Sequence, residues 1–206
     1  MKTLVPLLLL TISIHVLVAQ NAEPVESISK GTKFIGGSFS FYSTKTDETF
    51  QYTDFLIGPG MGFYIEDNLA VGGFLTYNFN KSEQPNTGDF TSFSGFGLNM
   101  FLLKNYKIAN NLFFTLQPQL SFNFGEQEYS NPFQNDYSSF SFGLGVSPGV
   151  MFFVSRKFAL QTSLGSLSYS HTRRKPENGG ETSTTNSFGL NGALSVSSFS
   201  IRYFIW

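Results

Sequence analysis

Between Asn110 and Gly125 the chain alternates apolar and polar residues almost without error. Leu112, Phe114, Leu116, Pro118, Leu120, Phe122 and Phe124 hold one phase; Thr115, Gln117, Gln119, Ser121, Asn123 and Gly125 hold the other. Only Phe113 breaks the rule. Successive side chains of a β-strand point to opposite faces, so a period of two predicts a strand with one apolar and one polar face. At roughly 3.3 Å per residue it exceeds the usual strand of a soluble sheet and suits the about 9 to 11 tilted residues that cross a bilayer.

Seven further stretches repeat the pattern. They run from Thr32 to Ser43, Phe50 to Tyr64, Leu69 to Asn80, Phe90 to Leu103, Ser138 to Phe153 and Phe158 to Tyr169, and a last one closes at Trp206. The links alternate in kind. Polar loops at 44–49, 81–89, 126–137 and 170–186 belong to one end, and tighter turns at 65–68, 104–109 and 154–157 to the other. An even strand count with loops at one end and turns at the other predicts an all-β fold: an eight-stranded antiparallel up-and-down transmembrane barrel. A gapless internal match of Pro59–Val71 on Pro148–Leu160 predicts that the hairpin of strands two and three and the hairpin of strands six and seven share one construction.

The pattern has local faults. Pro59, Pro118 and Pro148 lie within strands, where each removes a ladder donor, and bulges are expected at all three. In the last strand Phe188, Leu190, Leu194 and Val196 share one parity, while Phe199, Ile201, Tyr203 and Ile205 share the other. A one-residue bulge near Ser197-Ser198 would keep both sets on one face and turn Arg202 inward.

Composition decides which face is wet. Charged residues are 13% of the chain, about half the share of a soluble domain. The stretches 110–125 and 138–154 contain none. A soluble barrel would put a charged face outside, whereas small uncharged residues suit the narrow lumen of eight strands, filled by its own side chains. Aromatic residues gather in two groups: Phe63, Tyr106, Phe152, Phe158, Tyr203 and Trp206 toward the turns, and Phe41, Tyr77, Phe79, Phe90, Phe122, Phe124, Phe140 and Phe188 toward the loops. Two girdles are what the interfaces of a bilayer select.

The chain opens on Met1-Lys2, an apolar run from Leu4 to Val18 and a small residue at Ala19, the arrangement of a secretory signal peptide over 1–19. A mobile periplasmic lead is expected over 20–30 and the barrel over 31–206. The absence of cysteine leaves no disulfide and no thiolate metal site. A net charge of −1 offers nothing to nucleic acid.

The stretch Pro59 to Gly72, its echo at Pro148 to Leu160, the segment Gly165-Ser166-Leu167-Ser168-Tyr169 and the aromatic terminus Tyr203-Phe204-Ile205-Trp206 resemble the outer-membrane β-barrel family of Bacteroidetes, small eight-stranded barrels akin to the transmembrane domain of outer membrane protein A. The resemblance implies an outer-membrane location and a terminus read by the barrel-assembly machinery, for which Tyr203 and Trp206 are the candidates. Family members usually end in Phe, and Trp206 departs from that.

Candidate chemistry is sparse. His171 sits in the expected last loop beside Arg173, Arg174 and Lys175, and the grouping of Ser170, His171 and Glu177 carries little weight in so serine-rich a chain. Gly58-x-Gly60-x-Gly62 falls inside a strand and not at a phosphate-cradling turn. Glu126, Glu128 and Asp136 lack compact calcium spacing. The guanidinium forks of Arg173 and Arg174, with Lys175, suit the phosphates of lipopolysaccharide. The expectation is a monomeric, non-catalytic barrel without cofactor or metal, whose partners are outer-membrane lipid and lipopolysaccharide and whose four loops carry a structural or surface-interaction role. The alternatives are a secreted soluble β-barrel binding a small apolar ligand, a small-barrel outer-membrane enzyme, and a pore, which Phe74, Gln117, Gln119 and Met151 should block.

Overall fold

Each alternating stretch becomes antiparallel strand. The computed structural model describes residues 24–46, 50–131, 133–192 and 200–206, so the expected signal peptide and the Ser197-Ser198 bulge lie outside the described residues. The strands are β1 (Lys33–Thr46), β2 (Phe50–Glu66), β3 (Leu69–Gln84), β4 (Asp89–Ala109), β5 (Leu112–Tyr129), β6 (Tyr137–Ser155), β7 (Phe158–Ser163), β8 (Gly165–Pro176), β9 (Ser183–Gly192) and β10 (Ser200–Ile205). β1 to β6 pair in order, and β6 continues onto β7 and β8. β8 pairs with β9, while β10 lies between β7 and β1. β7 with β8, and β9 with β10, are successive parts of single paths, so the barrel has eight strands. It closes through the β1–β10 ladder from Lys33↔Ile205 to Gly37↔Ile201.

The apolar phase faces outward. Phe39, Met61, Phe96, Leu75, Leu144 and Ile201 are all exposed, an apolar belt of the kind that a lipid bilayer covers. Arg202 turns inward and is buried beside exposed Ile201. Leu190 and Ile201 are both outward although their numbers differ in parity.

Strands run further than the hydrophobic pattern. Residues 104–109 are strand, not turn, and β8 and β9 take up most of the expected loop 170–186. Beyond the lipid zone both faces are polar, so alternation ends before the backbone ladder does. At one end the hairpins turn on two residues, Asp67-Asn68, Asn110-Asn111 and Arg156-Lys157; at the other the links within the described residues span 85–88, 130–136 and 177–182.

All three short hairpins share one bulge. Tyr64↔Ala70 is followed by Glu66↔Leu69, Lys107↔Phe113 by Ala109↔Leu112, and Phe153↔Ala159 by Ser155↔Phe158. The internal repeat therefore has a third copy in the β4–β5 hairpin, hidden because its residues differ. Asn68 (φ 60°) and Asn111 (φ 65°) take left-handed positions, which Asn tolerates better than most residues. The carbonyls of Thr32, Asn68, Asn111 and Lys157 accept from the N–H groups of Tyr64, Asn105, Phe153 and Phe204, and these four bonds belt the turn end.

The described part of the lead is folded, not mobile. Val25 N–H donates to Asn111 Oδ1 (2.7 Å) while Asn111 N–H donates to Val25 O (3.2 Å). Ile28 and Asn68 repeat the exchange at 2.9 and 2.8 Å. Lys30 N–H donates to Asp67 Oδ1, Asn68 Nδ2 to Ser27 Oγ, and Glu26 pairs with Lys107. The side chains of Val25 and Ile28 are buried in the core. Two apolar residues in a polar lead are enough to dock it across the turn end.

That core lies in the lumen. Phe34, Tyr64, Phe101, Phe113, Phe153 and Phe204, with Leu103 and Met151, fill the turn-end half, so the expectation of a lumen filled by small polar residues holds only toward the loops. Each of these strands carries apolar residues on both phases where they enter the core, as in Phe34-Ile35 and Phe204-Ile205, and alternation disappears there. Glycines make room for the rings. A Cβ on Gly62 would overlap the Phe34 ring and one on Gly72 the Phe101 ring.

The prolines behave differently from one another. At Pro59 and Pro118 the ladders skip pairs and resume unshifted, as Ile57↔Tyr77 and Gly60↔Phe74 show for the first and Phe101↔Gln119 and Lys104↔Leu116 for the second. No bulge forms at either, because omitting one donor does not demand an extra residue. Opposite Pro148 there is one. Gly149 pairs with Ser163 and Val146 with Leu167, so Ser147 and Pro148 face Leu164, Gly165 and Ser166. Leu164 N–H donates to Pro148 O at 2.9 Å. The extra residue moves the outer phase onto Leu167 and Tyr169, both outward and exposed.

Two outcomes follow for refolded protein in detergent micelles. Asn111→Ala should lower unfolding stability by about 2 kcal/mol, through the strained left-handed position and the lost lead contact, and should make the lead protease-sensitive. Asn111→Gly, which keeps the turn, should cost only about half as much. Gly62→Val should cost about 1 to 3 kcal/mol by overpacking against Phe34, and a cycle with Phe34→Ala should show that the clash term vanishes when the ring is absent.

Candidate functional site: the loop-end rim and the lumenal cavity

β8 carries the basic residues up to the rim. Arg173 pairs with Phe140, Arg174 with Ser139 and Lys175 with Ser138, so the three stand on a strand and not in a loop. Alternation divides them. Arg173 and Lys175 share the outer face with Phe140 and Phe124, whose rings are 5.1 Å apart, and with Glu126 they line a shallow depression there. Arg174 turns to the mouth of the lumen, its guanidinium 5.6 Å from the Tyr137 ring. Both outward cations therefore sit just beyond the loop-side aromatic band. The rim is tied together, since Glu177 N–H donates to Asp136 O and Asn178 hydrogen-bonds Asn135 across two loops.

The other candidates are accounted for by local bonds. His171 is on β8, hydrogen-bonded through Nδ1 to Asn186 Oδ1 (2.8 Å), which also accepts from Tyr169 Oη (3.1 Å). Ser170, its neighbour in the strand, points to the opposite face, so Ser170, His171 and Glu177 do not assemble. Asp136 accepts from Tyr129 N–H (2.8 Å) and Glu128 from Ser92 Oγ (3.4 Å). Among the described residues no group of three acids or histidines is placed to hold a metal.

The terminal aromatics close the turn end. Tyr203 lies on the outer face with its ring 5.1 Å from Phe158. Trp206 Nε1–H donates to Arg156 O at 2.7 Å, and the Arg156 guanidinium is 5.5 Å from the indole ring. The last residue is thus pinned to the β6–β7 turn. This side of the barrel carries the girdle expected from the sequence, with Phe63, Tyr106, Phe152 and Phe158 exposed outward.

Inside, toward the loops from the aromatic core, lies a cavity of about 320 Å³. Gln117, Gln119 and Gln161 line one side and Phe74 and Phe101 another, with Arg202 at its base. Gln161 Nε2 and Arg202 Nη2 both donate to Gln117 Oε1, at 3.4 and 3.3 Å, and Gln117 Nε2 donates to Gln119 Oε1 at 3.4 Å. Gln117 and Gln119 read as filling in the sequence, and Gln161 carries no signal of its own; only a closed lumen brings them to one arginine.

A family model described as "Outer membrane protein beta-barrel domain" matches residues 7–194. No curated protein gave a match. The solved structures similar in shape at low identity include three outer-membrane proteins. Neisserial surface protein A is 16% identical with a TM-score of 0.44, over 86% of this chain and 97% of the other. A major outer membrane protein from Thermus thermophilus is 12% identical with a TM-score of 0.44, over 84% and 99%. The Yersinia pestis outer membrane protein Ail is 11% identical with a TM-score of 0.40, over 85% and 100%. The family match alone covers most of the sequence, and the chain belongs to the outer membrane protein β-barrel domain family.

Proposed function

We propose that this outer-membrane barrel is a non-catalytic surface protein whose rim engages the phosphates of lipopolysaccharide. The observation that carries this reading is the pair Arg173 and Lys175, outward on β8 immediately beyond the Phe124–Phe140 aromatic contact. That depth is where lipid headgroup phosphates meet the protein, and a guanidinium fork matches phosphate oxygens. Arg174 faces the lumen mouth and takes no part. Export through a cleaved signal peptide over 1–19 and insertion guided by Tyr203 and Trp206 complete the proposal, together with a monomeric state and membership of the Bacteroidetes group of small barrels.

The same geometry supports a closed barrel over a pore. Six aromatic rings occupy the turn-end lumen, and the lead lies across it. Among the described residues a catalytic role lacks an assembled set of groups, since Ser170 and His171 face opposite ways and Asp136 and Glu128 accept from Tyr129 N–H and Ser92 Oγ.

The test is lipopolysaccharide binding by protein refolded in detergent and verified by heat-modifiable gel migration. Removing both outward charges in Arg173→Ser/Lys175→Ser should weaken binding by about 2 kcal/mol, roughly 30-fold, at about 1 kcal/mol per basic residue near an anionic surface. Arg174→Ser should change it little. Equal losses from the inward and outward variants would sink the assignment. In planar bilayers the full barrel should give no steady conductance; a stable open level would show that the aromatic core does not seal it.

A further inference from the structure

Arg202 brings a positive charge into the lumen, where it is 7% exposed. Its guanidinium lies 4.4 Å from the Phe34 ring and 5.8 Å from Phe101, so one of its faces is covered by aromatic carbon. Nη2 donates to Gln117, and Nη1 has no hydrogen-bond partner. Among the described residues no carboxylate lies within ion-pair reach of it, and the adjoining stretch 193–199, ALSVSSF, contains no acid. Buried charges are ordinarily paired, because an ion removed from water loses its solvation. Among the described residues the pairing group is missing.

Arg202 is also one of the residues that line the lumenal cavity, so the chain holds room beside the arginine. Its walls are of two kinds. Amides from Gln117, Gln119 and Gln161 and the Ser147 and Ser200 hydroxyls give hydrogen bonds, while Phe74 and Phe101 present apolar surface. A single cation beside amides suits a monoanion, since the fork geometry matches a carboxylate and no second cation balances a dianion. The aromatic wall suits an apolar body on that carboxylate. The room is ample for a ring-sized molecule.

We infer that the lumenal cavity lined by Arg202 is a binding site for a small organic carboxylate, with the anionic group beside the Arg202 guanidinium and the apolar body against Phe74 and Phe101. Gly36 leaves room for the arginine stem on the neighbouring strand, because a Cβ there would come within 2.5 Å of Ile201 O and 3.3 Å of Arg202 Cγ. The site is independent of the rim, so it stands or falls apart from lipopolysaccharide binding.

The full barrel in non-ionic detergent, in chloride-free buffer, is titrated calorimetrically with benzoate, with its neutral counterpart benzamide, and with inorganic phosphate. Benzoate should bind at least ten-fold more tightly than either of the others. Arg202→Gln should weaken benzoate at least ten-fold, and Arg202→Lys should fall between, because it keeps charge without the fork. Folding of each variant is checked by heat-modifiable migration. A second measurement needs no variant: in wild-type protein labelled at arginine, one guanidinium resonance should shift on adding benzoate and stay in place with benzamide. Benzoate binding that is absent, or unchanged by both Arg202 substitutions with no guanidinium shift, overturns the site. Phosphate binding as tightly as benzoate overturns the carboxylate assignment.

Discussion

In hydrocarbon no water is present to satisfy a peptide N–H or C=O, and each one left unpaired costs several kcal/mol. Ring closure meets that demand, and much else in this chain follows from it. The β1–β10 ladder joins the ends of the sheet, and the four-bond belt from Thr32, Asn68, Asn111 and Lys157 carries the pairing past the last ladder residues of the hairpins. The prolines show how strictly the demand is kept. Where a donor is missing at Pro59 and Pro118 the neighbouring pairs carry on in register, and at Pro148 the partner path inserts a residue so that the carbonyl is still used.

Closure also creates an inside, and the inside is divided. Eight strands leave room for side chains and little else. Toward the turns the room is taken by large rings, with glycines opposite them wherever a Cβ would collide, as at Gly62 and Gly72. Val25 and Ile28 finish this packing from outside the barrel. Toward the loops the inward residues are smaller and more polar, and packing gives way to a cavity with one arginine. The rigid half therefore supports the open half: Phe34 packs against Tyr64, Phe101 and Phe204 and also underlies the Arg202 guanidinium.

The rim and the cavity separate two kinds of charge use. Arg173 and Lys175 stand in or near water, where their worth depends on what anionic surface is close and falls with salt. Arg202 has been taken out of water, and its environment is set by the protein alone. One strand residue more or fewer would exchange these fates, because a shift of one flips every side chain to the opposite face. The bulge opposite Pro148 is what keeps Leu167 and Tyr169 on the lipid face of that path.

By itself the sequence determined the all-β class, the strand count, the loop asymmetry and the outward direction of the apolar phase. These depend on a period of two and on missing surface charge, which are local properties. It also determined that Arg202 turns inward, since only that phase keeps Ile201 and Tyr203 outside. The docking of the lead, the third copy of the hairpin bulge, the different outcomes at three prolines and the grouping of Gln117, Gln161 and Arg202 were decided only by tertiary structure, because each depends on how one segment of the chain meets another and not on the pattern along either. Phe113 marks the boundary. Along its own strand it is an error in the alternation, and in the closed barrel it is a fully buried core residue with its ring 5.8 Å from Phe153. A pattern read along one strand cannot distinguish a fault from a contact made with the neighbouring strand inside the lumen.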